Sequence, residues 1–313
     1  MKPAVPLPPG ALPWDDGFEV VASDGVRLRA ARWDGEGPEI ALLLSGRTEF
    51  LEKMAIPATA LLSRGFTVVS VDWRGQGLSQ RVGEPAIMGH VGEFADYQQD
   101  LAALLDASEV GTGKMVDLML AHSMGGAIGL GAIYDGVVEP RAVVLSAPML
   151  GVHMSQPLKV AGVITTRLAE LFGQLDKRPP FGNVDKPYVF EGFENNVLTS
   201  DEEVFSWMVE ALHAEPRLQL AMPSLRWLDE ATHEMERLSR KGPIKPPTLL
   251  VHGTEEAVVE VDEIEKARRR LGCEVVKIDG ARHEVLIEQK PMRDAAWSAI
   301  DNFLENAGLR VSS

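Results

Sequence analysis

Short apolar runs recur along the chain, and several are followed by stretches whose apolar residues return every three or four positions. Residues 18–22 and 26–33 flank the turn-forming trio Ser23-Asp24-Gly25 and read as an antiparallel hairpin. Residues 39–44, 66–71, 115–121 and 142–146 are almost continuously apolar. Strands buried on both faces of a mostly parallel sheet have that character. Helical spacing fills the gaps at 54–63, 93–107 and 124–134. Past residue 246 the alternation resumes with a strand at 248–251, a helix at 261–271, a strand at 274–278 and a helix at 292–306. This order predicts an α/β fold of three layers, with a mostly parallel eight-stranded sheet between helices.

Residues 148–244 interrupt the rhythm. Leu158, Val160, Ile164, Leu168 and Leu171 have helical spacing, as do Phe205, Met208, Val209 and Leu212, and no convincing strand separates them. A loop with Pro179, Pro180, Gly182 and Pro187 lies between the two sets, and the proline-rich segment 241–247 leads back to the sheet. The division expected is a core of 1–147 and 245–313 carrying a helical insertion over the C-terminal edge of the sheet. The apolar stripes of the insertion read first as core; in a lid over a lipid pocket the same stripe also serves as a membrane-facing surface.

Composition narrows the function classes. The chain has 313 residues, 45% of them apolar, enough for a sizeable core without staples. Its single cysteine, Cys273, excludes an intrachain disulfide and fits a reducing compartment. Against 31 basic residues stand 46 acidic ones, a net charge of −15 that repels nucleic acid. The proline-rich start lacks the basic-then-apolar pattern of a secretory signal, and no run of ~18 apolar residues occurs. A cytoplasmic protein is therefore expected, with peripheral membrane contact through the insertion left open.

Candidate chemistry begins at Leu120-Ala-His-Ser-Met-Gly-Gly126, where an apolar strand gives way to a small-residue helix. A serine presented on a sharp strand-to-helix turn needs small residues two before and two after it, and Ala121 and Gly125 supply them. Ser123 at the helix N-terminus is then a nucleophile beside partial positive charge. It requires a histidine base and an orienting acid. Of His153, His213, His233, His252 and His283, the last follows the final strand in a loop, while His252 closes a strand whose own loop must supply the acid. That loop offers Glu255 and Glu256; two valines at 258 and 259 favour Glu256 as the one anchored inward, with Glu255 as the alternative. For the oxyanion, one N–H comes from Met124 and the other from Arg47, whose neighbour Gly46 permits close approach. The Arg47 side chain is either a solvated cation or a contact to a polar substrate head.

Gly46-Arg-Thr-Glu49, Asp72-Trp-Arg-Gly-Gln-Gly-Leu-Ser79, Gly89-His-Val91, Asp96-Tyr97, Ala121-His-Ser-Met-Gly-Gly126 and Ala147-Pro-Met149 together resemble the bacterial lysophospholipase group, itself similar to monoacylglycerol lipases of the α/β-hydrolase superfamily. The resemblance implies Ser123, Glu256 and His283 as a triad, and Arg47 and Met124 as oxyanion donors. It also implies hydrolysis of a single-acyl-chain lipid ester. A general carboxylesterase and a non-catalytic binding protein of the same fold are the alternatives. Residues 72–79 and His122 read as structural. Gly111-Thr-Gly-Lys114 lacks the spacing of a phosphate loop and reads as a turn. His233-Glu234 and His283-Glu284 lack a second histidine at metal spacing, so neither metal nor cofactor is expected.

Overall fold

The computed structural model describes residues 1–108, 115–154, 156–180 and 185–309; the Gly111–Lys114 segment lies outside them. Eight strands form one sheet: β1 (Asp16–Val21), β2 (Arg27–Trp33), β3 (Ile40–Leu44), β4 (Thr67–Val71), β5 (Met115–His122), β6 (Glu139–Ser146), β7 (Thr248–Gly253) and β8 (Glu274–Ile278). Their spatial order is β1-β2-β4-β3-β5-β6-β7-β8. The hairpin β1–β2 and the β2–β4 pair are antiparallel, and all other pairs are parallel.

Alternation within the apolar strands builds two cores, one per face. Leu42 and Leu44, Met119 and Ala121, and Val143 and Leu145 face the helices α2 (Asp96–Ala107), α3 (Met124–Tyr134) and α7 (Val261–Leu271). Their neighbours Ala41 and Leu43, Leu118 and Leu120, and Ala142 and Val144 face α1 (Leu51–Leu62) and α8 (Lys290–Asn306). That is why these strands read as unbroken apolar runs. Helix α1 begins three residues before its apolar spacing suggests, because Glu52 and Lys53 are buried as ion pairs.

The segment between β6 and β7 holds α4 (Gln156–Leu171), α5 (Glu202–Ala214) and α6 (Leu225–Ser239). Ser224 caps α6 by accepting from the Trp227 N–H at 3.1 Å, and Asp201 caps α5 through the Val204 N–H at 3.0 Å. Trp227, Ala231 and Leu238 of α6 join the core on the α3 side. Phe205, Met208, Ala211 and Leu212 of α5 form a separate cluster with Phe50 and Val5. Helix α4 is different. Its Ile164, Leu168 and Leu171 are 55%, 51% and 76% exposed, and the following Phe172 is 70% exposed. The first apolar stripe thus faces outward where its side chains are described, while the second is core.

Candidate active site

Parallel pairing of β5, β6, β7 and β8 brings their C-terminal ends to one edge, where the loops after β5, β7 and β8 meet. Ser123 sits in the turn from β5 into α3 with φ 51° and ψ −117°, a conformation that side chains rarely adopt. The turn is held on three sides. The Ser123 N–H donates to the Ser146 carbonyl at 3.0 Å, and its own carbonyl accepts from Gly126 and Met149, each at 2.9 Å. Gly125 is obligatory, since a Cβ there would stand 2.5 Å from the Leu44 carbonyl.

His283, on the loop after β8, places Nε2 3.1 Å from Ser123 Oγ and Nδ1 2.7 Å from Glu256 Oε2. The other oxygen of Glu256 accepts the N–H groups of Val258 and Val259 at 2.6 and 3.1 Å, so the two valines aim that carboxylate inward. Burial alone would push Glu256 up, but the hydrogen bond and charge of His283 and these two N–H groups leave it below the usual carboxylate range. The Glu255 side chain is 61% exposed and, among the described residues, reaches only Arg282, at 4.0 Å. At Gly253 a Cβ would meet the Ala281 carbonyl at 1.9 Å, so the acid loop and histidine loop touch through a glycine. Of the other histidines, His252 bonds the Gly253 carbonyl, His213 stacks on Phe190 and His233 faces Asp229. The main chain of His153 bonds that of Val258. None of these four bonds Ser123.

The loop after β3 lies against Ser123: a Cβ on Gly46 would be 3.0 Å from Ser123 Cβ. Its carbonyl accepts from Gln76 Nε2 at 2.8 Å and its N–H donates to Glu49. Neither the Arg47 N–H nor the Met124 N–H, the latter opening α3, donates to an acceptor among the described residues. The Arg47 side chain is not a free solvated cation. It runs between two loops, bonds the Ala221 carbonyl and lies over the Trp227 ring, 5.4 Å from its centroid.

Beneath the site is a buried charged cluster that sequence reasoning missed. Lys53 Nζ stands 3.1 Å from Glu49 and 2.5 Å from Glu284. Glu49 holds Gly46, and Glu284 follows His283, so one ammonium joins the loop after β3 to the loop after β8. Burial opposes the charge of Lys53, but the two carboxylates outweigh it and raise its pKa. His122 lies with its ring 4.7 Å from that of His283, and burial lowers it to about 4, so it stays neutral there. The i,i+4 pair Glu49/Lys53 was a readable signal. Donor atoms of Glu49, His122 and Glu284 lie within 4.8 Å of one another, but Lys53 already supplies the positive charge a cation would bring. Residues 72–79 are likewise tied down: Asp72 accepts from Leu51, Leu78 and Arg29.

Known proteins share this arrangement of chain. Residues 38–290 match the family model described as serine aminopeptidase, S33. The chain is 31% identical over 307 residues to lysophospholipase L2 of Escherichia coli strain K12, covering 92% of this chain and 87% of that one. To the monoacylglycerol lipase of Mycolicibacterium smegmatis it is 27% identical over 295 residues, covering 90% and 95%. A soluble variant of monoglyceride lipase from Saccharomyces cerevisiae, solved with a substrate analogue, superposes with a TM-score of 0.74. That likeness covers 99% of this chain and 100% of that one at 18% identity, and so speaks for the fold alone.

Proposed function

This chain belongs to the serine aminopeptidase S33 family of α/β-hydrolases, and we propose from that premise that it cleaves the carboxylic ester of single-acyl-chain lipids, lysophospholipids or monoacylglycerols. The observation that carries the reading is the continuous hydrogen-bonded line from Ser123 Oγ through His283 to Glu256. The relatives' names supply the ester class.

In this reading His283 Nε2 takes the proton of Ser123 as Oγ attacks the ester carbonyl. Glu256 remains ionised and holds Nδ1–H, so the imidazole keeps the right tautomer and the imidazolium is stabilised. The N–H groups of Arg47 and Met124 receive the oxyanion; one such donor is worth roughly 2.7–4 kcal/mol. His283 then protonates the departing alcohol. Water enters, gives a proton to the same nitrogen and bonds the acyl carbon. His283 returns that proton to Ser123 Oγ as the acyl–Oγ bond breaks and the fatty acid leaves. Acid–base chemistry completes the cycle, and no step calls on a cofactor.

Helices α4 to α6 serve as the cap that shapes the acyl pocket, and the exposed Ile164, Leu168, Leu171 and Phe172 offer a surface for peripheral contact with a membrane. No helix among the described residues is long and apolar enough to cross one.

The test is a panel run side by side: lysophospholipid, monoacylglycerol, a short-chain nitrophenyl ester and an aminoacyl nitroanilide. Turnover of the single-chain lipids is expected. Fast nitrophenyl hydrolysis with inert lipids would leave a general carboxylesterase, and cleavage of the anilide alone would leave a peptidase.

A further inference from the structure

Several buried cations are committed to acids. Arg29 pairs with Glu52 and Asp72, Arg74 with Asp100 and Asp24, and Lys53 with Glu49 and Glu284. Arg47 departs from this pattern, as does Arg81, which bonds the Arg217 carbonyl; of the two, Arg47 is the one that adjoins Ser123 through Gly46. It has no carboxylate partner among the described residues; it bonds a main-chain carbonyl, lies over Trp227, and its enclosed Nε has no hydrogen-bond partner. Acids are not scarce in a chain with 46 of them against 31 bases. An enclosed, uncompensated charge is costly, and burial accordingly lowers Arg47 to about 10. Such a site retains its attraction for an anion that arrives from outside.

The place of this cation decides which anion. Arg47 follows Gly46, which packs against Ser123, so its main chain and side chain start from the edge of the reacting centre. In a lysophospholipid the phosphate is carried by the same glycerol unit as the scissile ester. A guanidinium presents planar paired donors that match phosphate oxygens, which a neutral glycerol hydroxyl does not exploit.

Resting on the ester-hydrolase reading above, we propose that Arg47 is a specificity residue whose guanidinium receives the head-group phosphate of a lysophospholipid. The substrate class selected is then the phosphate-bearing single-chain lipid over the neutral monoacylglycerol.

Two non-hydrolysable ethers test this without turnover: a 1-O-alkylglycerol and its 3-phosphate, of equal chain length and below their micelle concentrations. Each competes with a fluorophosphonate for Ser123, and the protecting concentrations give a ratio for each protein. In the wild type the phosphate ether protects at the lower concentration, and added salt weakens it without affecting the neutral ether. In Arg47→Gln the ratio falls about tenfold or more, equivalent to about 1.4 kcal/mol, while Arg47→Lys keeps part of it. The proposal is overturned by a wild type without preference for the phosphate ether, by a preference that survives Arg47→Gln, or by equal weakening of both ethers, which would make Arg47 a brace for the loop. If Arg47→Gln does not fold, the wild-type salt response and Arg47→Lys decide the matter. Because only protection is read, inert lipids in the substrate panel would sink the ester reading independently of this ratio.

Discussion

Glu255 and Glu256 are neighbours of identical chemistry, and what separates them is the pair of N–H groups that follows. Val258 and Val259 hold one oxygen of Glu256 and turn the other to His283, whereas Glu255 is left in solvent. Glu256→Gln should therefore lower kcat by roughly 10³–10⁴-fold through loss of the charge that orients the imidazole. Glu255→Gln should change it by less than about threefold, as expected of an exposed ion pair. Steady-state rates on a nitrophenyl ester would check the ranking, and the reverse order would assign the acid to Glu255. The valine signal could be read along the chain because it is local. Lys53 was legible only in part: its spacing from Glu49 is local, but its tie to Glu284, 231 positions away, arises only in the fold.

Elements were legible in proportion to how fully their residues are buried. Strands β3, β4, β5 and β6 declare themselves because two cores take their side chains in turn along most of their length. Apolar spacing puts the start of α1 three residues late because its first turn buries Glu52 and Lys53, charges that sequence patterning assigns to the surface. The insertion was legible as helical but not in its facing, since an apolar stripe has the same period whether it meets core or solvent. Exposed Leu171 and Phe172 make α4 the element to test for a membrane. Replacing both by Asp should reduce binding to phospholipid vesicles by about two to four orders of magnitude, given about 1.5–3 kcal/mol per inserted side chain. Stability should move by less than about 0.5 kcal/mol per site. Vesicle sedimentation reads the first and thermal unfolding the second; unchanged sedimentation would remove α4 from any contact.

At the scale of the molecule, the parallel sheet turns three distant loops into one site. Ser123, Glu256 and His283 meet because β5, β6, β7 and β8 end at a common edge. Chain order and strand rhythm made this edge predictable. The choice of ester was not, because it depends on helices that pack by tertiary contact rather than by a motif. The central claim is that Ser123 is the nucleophile. Its most direct test is the mass-spectrometric mapping of the residue modified by a fluorophosphonate probe. The account predicts a single adduct at Ser123 in the wild type and none in Ser123→Ala; an unreactive wild type, or an adduct persisting in Ser123→Ala, would contradict it.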